Sequence, residues 1–439
     1  MGGMNAAGDT GSLAAADVSL RRIVVASVIG TVIEWYDFLI YGTAAALVFN
    51  KLFFPTLDPV AGTLASFGAY AVGFVARPLG GAIFGHFGDR LGRKAMLTAT
   101  LLVMGVGTFL IGCLPTYAVL GIWAPALLVA LRLLQGIGVG GEWGGAVLMV
   151  LENAPAHRRG LYGSLVQIGF AAGVGGSTAT FLLLAKLPEA AFLAWGWRLP
   201  FLLSAVLIAV GVFVRLRMVE TPAFLRLKRE RQVARIPLLE VLAREPRTAL
   251  VAIGLKLSEV AWVYVLTVFA IVYATGRLHL PRRLILDAIL WAALVEFVTL
   301  PLFGWLSDLL GRRPIYVAGS LVSAVCAFAT FSLLDTRDPT IVVVTIVVVM
   351  SLTHAMMFGP QAALLPELFG TRVRYTGASV GCQVAAALSG GFSPLIASAL
   401  LAWTGATWPI SLYLVGLAAL TLLATLATHE TRDLDIARR

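Results

Sequence analysis

Long apolar stretches alternate with short polar ones along almost the whole chain. A helix needs about 20 mainly apolar residues to cross the hydrocarbon of a bilayer. Twelve stretches meet that length, near 22–49, 62–87, 95–114, 121–151, 159–186, 196–217, 248–276, 284–307, 314–334, 340–366, 373–402 and 406–428. Several exceed 25 residues, which allows a helix to tilt or to extend beyond lipid. One polar stretch is long, from 215 to 247, and it divides the spans six and six. The pattern predicts an all-α integral membrane protein. Its expected parts are a disordered N-terminus over 1–20, a six-helix bundle over 21–218, a central loop over 219–247, a second six-helix bundle over 248–429 and a short tail over 430–439.

Composition agrees with lipid as the solvent. Of 439 residues, 59% are hydrophobic and 13% charged, against about 25% charged in soluble proteins. The net charge of +10 does not imply nucleic acid, because the basic residues sit at the ends of the apolar runs. With the N-terminus inside, the connections on that side hold 23 Lys and Arg, and those on the other side hold 7. This bias predicts that both termini are cytoplasmic in a bacterial-type inner membrane. Residues 1–20 lack the basic region, short apolar core and cleavage site of a removable signal. Cys113, Cys326 and Cys382 lie singly in apolar runs, which fits small buried residues and no metal site.

Two stretches recur in the two halves. Gly85-His86-Phe87-Gly88-Asp89-Arg90-Leu91-Gly92-Arg93-Lys94 has its partner in Gly304-Trp305-Leu306-Ser307-Asp308-Leu309-Leu310-Gly311-Arg312-Arg313, 219 residues later. Glu152 with Arg159 and Glu367 with Arg374 are each seven residues apart, at an offset of 215. Such offsets argue for duplication. An aspartate there can cap another helix's N-terminus, where the dipole favours an anion, and Arg93 can pair with Glu152. The set would latch the cytoplasmic side. Simple positive-inside anchoring explains Arg93 and Lys94 but not Asp89, the glycines or the repeat.

The pattern G-x-x-x-D-R-x-G-R-K resembles the hallmark of the major facilitator superfamily. Gly30-Thr31-Val32-Ile33-Glu34-Trp35-Tyr36-Asp37-Phe38, Arg77-Pro78-Leu79-Gly80-Gly81 and Gly140-Gly141-Glu142-Trp143-Gly144-Gly145 resemble, more narrowly, the metabolite–proton symporter family. The last run and Phe84–Arg90 are most similar to the shikimate transporter branch. The resemblance implies proton symport by alternating access, driven by the proton gradient without a cofactor, with the first, fourth, seventh and tenth helices lining the path. Leu309 stands where Arg90 does in the first half, so the two latches need not be equally strong.

Ionisable residues at membrane depth are costly and usually face a cavity or a partner. Those here are Glu34, Asp37, Arg77, Arg132, Glu142, Lys256, Glu259 and Glu296, with Asp287 expected near the outer surface. Glu34, Asp37 and Tyr41 share a helix face. Desolvation against a nearby cation decides whether such an acid holds a proton, so Asp37 or Glu34 is a proton-coupling candidate, the other reading being a permanent ion pair. Related sugar–proton carriers set a first-helix aspartate opposite a fourth-helix arginine, which favours Asp37 facing Arg132. Arg132, Gln135 and Glu142 fall on one stripe, and a guanidinium fork suits a carboxylate from substrate or protein. Arg77 pairs with Glu34 or touches substrate. Lys256 and Glu259 satisfy each other or contact substrate, and Lys256 matches a cationic position of the resembling branch. Gln361 lies on one face with His354, and a lone helical histidine is more often packed than functional. Tyr36, Tyr41, Trp143 and Tyr264 complete the substrate-binding candidates. Gly85, Asp89, Arg90, Gly92, Arg93, Glu152, Asp308, Arg312, Glu367 and Arg374 are the gate candidates.

These features predict a carrier of a small organic acid and protons, working as a monomer in lipid. A proline or betaine carrier is the alternative, disfavoured by a tail that shows no heptads. A membrane receptor is a third. No nucleophile elbow, zinc spacing or phosphate-binding loop points to an enzyme.

Overall fold

The computed structural model of the protein describes residues 6–91, 93–216, 237–370 and 373–434. Among the described residues, twelve helices are long and apolar enough to cross a membrane. They are α1 (Leu20–Leu52), α2 (Pro59–Phe84), α3 (Ala95–Cys113), α4 (Trp123–Leu151), α5 (Ala156–Leu184) and α6 (Gly196–Leu216), then α7 (Pro246–Arg277), α8 (Arg282–Leu310), α9 (Arg312–Leu334), α10 (Pro339–Glu367), α11 (Arg374–Thr404) and α12 (Trp408–Leu426). Each overlaps one of the twelve apolar stretches, and no strand occurs among the described residues.

Three expectations change. The N-terminal segment is helical from Ala6, continuous with α1, rather than disordered. Ala6, Ala7 and Ala14 to Ala16 favour helix there, against the cost of Gly8 and Gly11. The central loop ends early, because Pro237–Arg244 forms a helix and α7 starts at Pro246; residues 217–236 lie outside the described residues. Cys113 is exposed, not buried, since lipid covers apolar faces that protein does not.

Local signals start the helices. Asp58 accepts from Val60 N and Ala61 N at 3.0 and 3.1 Å, with Pro59 as the first helical residue of α2. Asp338 and Pro339 repeat the arrangement at α10, with bonds of 2.9 and 3.0 Å. An acceptor followed by a residue without N–H satisfies the orphan donors of a helix start.

The fourth-helix glycines let backbones touch. A Cβ on Gly140 would lie 2.6 Å from Gly81 N, and one on Gly138 2.9 Å from Met104 N. Thus α4 packs closely on α2 and α3, as small residues permit. Helical runs break at Ala76 before Arg77, over Gly140–Glu142, and at His354. The helical winding loosens to π over Val265–Phe269 and Ala386–Gly391. Such irregularities are tolerated at membrane depth only where backbone is buried in protein or lines a cavity.

At one end the halves are latched. Asp308 accepts from Gly160 N and Leu161 N, the first turn of α5, at 2.8 Å each. Arg312 Nη1 donates to Asp308 at 2.7 Å, and its Nε and Nη2 reach Glu367 at 3.4 Å. Gly311, at φ 103°, turns the chain between α8 and α9 in a conformation that glycine adopts without strain. The segment after α12 folds over the same place. Glu430 accepts from the N–H groups of Arg312 and Arg313 at 2.9 and 3.1 Å, and Thr431 Oγ1 donates to Glu367 at 2.6 Å. At the opposite end a vestibule of about 810 Å³ opens between the halves, lined by Asn50, Lys51 and Thr63 on one side and Phe269, Arg277 and Ser398 on the other.

Candidate functional site

Between the latch and the vestibule lies a small central cavity of about 20 Å³, room for roughly one water molecule. Glu34 and Trp35 reach it from α1, Arg77 from α2, Trp143 from α4, Lys256, Glu259 and Tyr264 from α7, His354 and Phe358 from α10, and Cys382 from α11. Both halves therefore supply charge to one enclosed space.

An aromatic plug separates cavity from vestibule. Phe38, Tyr70 and Phe74 of the first half meet Tyr264 of the second at ring distances of 6.3, 5.9 and 5.1 Å. Phe38 of α1 and Tyr70 and Phe74 of α2 fall between the cavity-lining and vestibule-lining positions, and Tyr264 is the cavity-lining residue of α7 nearest the vestibule. Gly390 and Gly391, in the loosened stretch of α11, give the plug its seat, since a Cβ on them would come 2.7 and 2.5 Å from the Phe74 ring.

The second-half charges form a connected network. Lys256 Nζ donates to Glu259 Oε1 and Gln361 Oε1, both at 2.7 Å, and Gln361 Nε2 donates to Glu259 Oε1 at 2.8 Å. His354 Nδ1 sits 2.7 Å from Glu296 Oε1, and its Nε2 is 3.6 Å from Glu259 Oε2. His354 is thus held between two buried carboxylates, not merely packed. Neither it nor Glu296 stood among the site candidates, because Glu296 is remote in sequence and the pairing is tertiary.

The first-half charges are arranged otherwise than expected. Asp37 does not pair with Arg132. It accepts from Ser204 Oγ of α6 at 2.6 Å, and its Oδ2 has no partner among the described residues. Arg132 is wholly buried, with its guanidinium 3.9 Å from the Phe38 ring centre, 4.3 Å from Tyr41 and 4.7 Å from Tyr70. Cation–π attraction of about 0.5–2 kcal/mol per face holds it there. Its Nη1 donates to Gln135 at 3.1 Å and Gln135 to Thr108 at 2.7 Å; Thr108 lies beside Asp37. The link between Arg132 and Asp37 is therefore indirect. Nε and Nη2 of Arg132 have no acceptor among the described residues.

Arg77 stacks on the other side of this group, 3.9 Å from Phe38 and 4.5 Å from Phe74, and makes no ion pair with Glu34 among the described residues. Glu142 forms a buried ion pair with Arg215, across Gly30. Arg215 looks in sequence like the first charge of the central loop, but α6 continues to Leu216 and carries it inward. Tyr36 points away from the cavity, its hydroxyl donating to Pro200 O at 3.2 Å. Of the substrate-binding candidates, Arg77, Trp143, Lys256, Glu259 and Tyr264 line the cavity in this conformation, while Arg132, Gln135, Tyr36, Tyr41, Glu142 and Gln361 do not. Trp143 is held by Gln167 at 3.4 Å.

Of the gate candidates, Asp308, Arg312 and Glu367 meet in the latch. Arg374 donates to Phe369 O at 3.2 Å, and Arg159 to Leu434 O at 2.9 Å. Glu152 is exposed at the end of α4. Gly92 and the side chains of Asp89, Arg90 and Arg93, with Gly85, lie outside the described residues.

The twelve-helix fold finds its counterpart in known proteins. Residues 23–253 match the family model Sugar (and other) transporter, and residues 260–435 match Major Facilitator Superfamily. The chain belongs to the major facilitator superfamily. It is 42% identical to the Shikimate transporter of Escherichia coli (strain K12), over 94% of this chain and 95% of that one. It is 44% identical to the Inner membrane metabolite transport protein YhjE of the same organism, with the same coverage of each. A solved structure of the proton:xylose symporter XylE bound to 6-bromo-6-deoxy-D-glucose superposes with a TM-score of 0.71 at 18% identity, covering 94% of this chain and 97% of that one. At that identity the likeness concerns the fold. The protein is a membrane transporter and not an enzyme.

Proposed function

We propose that the protein takes up a small organic acid, shikimate or another carboxylate metabolite, together with protons by alternating access. The observation that carries this reading is the cavity itself: Lys256 and Arg77 face it from opposite halves, beside the acids Glu34 and Glu259. The fixed cations suit a carboxylate, and the acids are available to hold protons when the cations turn to the solute. The Shikimate transporter as a relative supports the substrate class.

In this reading the conformation is closed at the latch and plugged at the vestibule, an occluded stage of the cycle. The latch end faces the cytoplasm and both termini lie there, in accord with the Lys and Arg bias. Asp37 and Glu34 serve as proton sites of the first half, and Arg132 adjusts to them through Gln135 and Thr108. The protein acts as a monomer in a bacterial inner membrane, with its two six-helix halves rocking about the cavity.

Uptake of labelled shikimate into proteoliposomes with an imposed inward proton gradient tests the proposal. Accumulation should exceed equilibrium and collapse on adding a proton ionophore. Accumulation that survives the ionophore would sink proton coupling. A proline or betaine carrier remains the second reading, favoured by the aromatic wall of Trp35, Trp143 and Phe358, which suits a quaternary ammonium. Competition of labelled shikimate by unlabelled betaine separates the two.

A further inference from the structure

The charges that meet at the break in α10 do not cancel. Lys256 is one cation; Glu259 and Glu296 are two acids, and all are buried with His354. The other charged groups that face the cavity, Arg77 of α2 and Glu34 of α1, offset each other. Tyr316 of α9 and Cys382 of α11 lie near Glu259, and α5 presents Phe170 to His354 at a ring distance of 4.6 Å. With His354 neutral and both acids ionised, the cluster holds one negative charge without a counter-ion, in a place where an uncompensated charge is costly. One added proton makes it neutral.

The geometry says where that proton sits. His354 Nδ1 and Glu296 Oε1 are 2.7 Å apart, so one proton is shared between them. Among the described residues Glu296 Oε2 has no partner, and Glu296 does not line the cavity, whereas His354 does. The imidazole ring packs against Phe170 and Phe358, the latter stacked at 4.5 Å, and its two nitrogens point in different directions, one to Glu296 and one toward Glu259.

We propose that Glu296 and His354 form a proton-carrying dyad of the second half, loaded from the cavity through His354 Nε2 beside Glu259, and that its loading precedes binding of an anionic solute. This rests on the proton-coupled reading above but assigns the proton to groups outside the first helix. In loading, a hydronium ion reaching the cavity gives its proton to Nε2 and is left as water, while the Nδ1 proton passes to Glu296 Oε1. The cluster goes from one negative charge to none, and an anion can then enter beside Lys256 and Arg77 without repulsion. Unloading reverses both transfers once the cavity faces the other side.

Infrared difference spectroscopy of ligand-free protein in lipid, between about pH 5 and 8, tests the dyad without any substrate. A carboxyl band that titrates in the parent should vanish in Glu296→Gln, move in Glu296→Asp and shift its titration midpoint in His354→Gln. A band unchanged in all three overturns the proposal, as does a parent with no titrating carboxyl. If Glu296→Gln does not fold, Glu296→Asp and His354→Gln decide alone. Shikimate binding adds a second arm. Parent affinity should weaken about tenfold or more as pH rises across that window, while Glu296→Gln binds at both ends as the parent does at low pH. A pH-dependence retained in full by Glu296→Gln also overturns the proposal. A parent that binds no shikimate counts against the substrate reading, and the infrared result still decides the dyad.

Discussion

Replacing Asp308 with Ala should open the latch. Its carboxylate accepts two backbone N–H groups of α5, at 2.8 Å each, and one guanidinium N–H of Arg312 at 2.7 Å. The first two bonds cross between the halves and exist only while that end is closed. A hydrogen bond to a charged group contributes about 1.5–3 kcal/mol, and the helix N-terminus favours the anion further. When the end opens, water satisfies Asp308 and the α5 amides, so the substitution costs the open state little. The closed state should lose roughly 3 kcal/mol, since the bonds share one carboxylate and do not add fully. That shifts the closed-to-open ratio about a hundredfold. Spin labels at His157→Cys and Leu310→Cys, exposed positions on either side of the latch, report the separation by pulsed dipolar spectroscopy. The distance distribution should lengthen in Asp308→Ala and shift partly in Asp308→Asn, which keeps one acceptor. An unchanged distribution in both would refute the claim that this carboxylate holds the halves together.

Three further outcomes follow from the geometry. Gly140→Val places side-chain atoms where Gly81 N lies 2.6 Å from a Cβ, so it should destabilise by about 1–3 kcal/mol or more; thermal unfolding in detergent measures this, and an unshifted transition refutes the backbone contact. Asp37→Asn should abolish uphill uptake and retain counterflow exchange, and uphill uptake that survives moves the first-half proton site to Glu34. At the latch, partial burial alone would raise the Glu430 carboxyl, but the N–H groups of Arg312, Arg432, Arg313 and Thr431 outweigh it and hold the group below the usual glutamate range. The native pKa is lowered, so its stabilisation is complete above the unfolded value of about 4.3 and fades as pH falls through the lower one. The stability gap between parent and Glu430→Gln should therefore narrow on acidification below about pH 4.3; a gap independent of pH argues against the cap.

Much of this architecture was legible in the sequence because the deciding interactions are local. An apolar run of span length has to become a helix, since lipid offers its backbone no other partner. Asp58-Pro59 and Asp338-Pro339 announce helix starts by themselves, and the repeated glycine–aspartate–arginine pattern marked the latch that Asp308 and Arg312 form. Pairing was not legible. Arg215 reads as a loop charge because polar residues follow it, yet it lies buried against Glu142, 73 positions away. His354 reads as packing because its acid partner Glu296 is 58 positions away on another helix. Arg132 reads as a partner of Asp37, but three aromatic rings on α1 and α2 take its guanidinium and Ser204 takes the aspartate. Helical spacing tells which residues share a face, not which face of which neighbour meets it.

The central claim is that solute and proton cross together. It is tested most directly by adding shikimate to weakly buffered proteoliposomes with no pH gradient imposed, while external pH and labelled solute are followed at once. The account predicts external alkalinisation in step with shikimate entry, abolished by a proton ionophore for the pH signal and absent in empty vesicles. Entry of shikimate with no change in pH would contradict it.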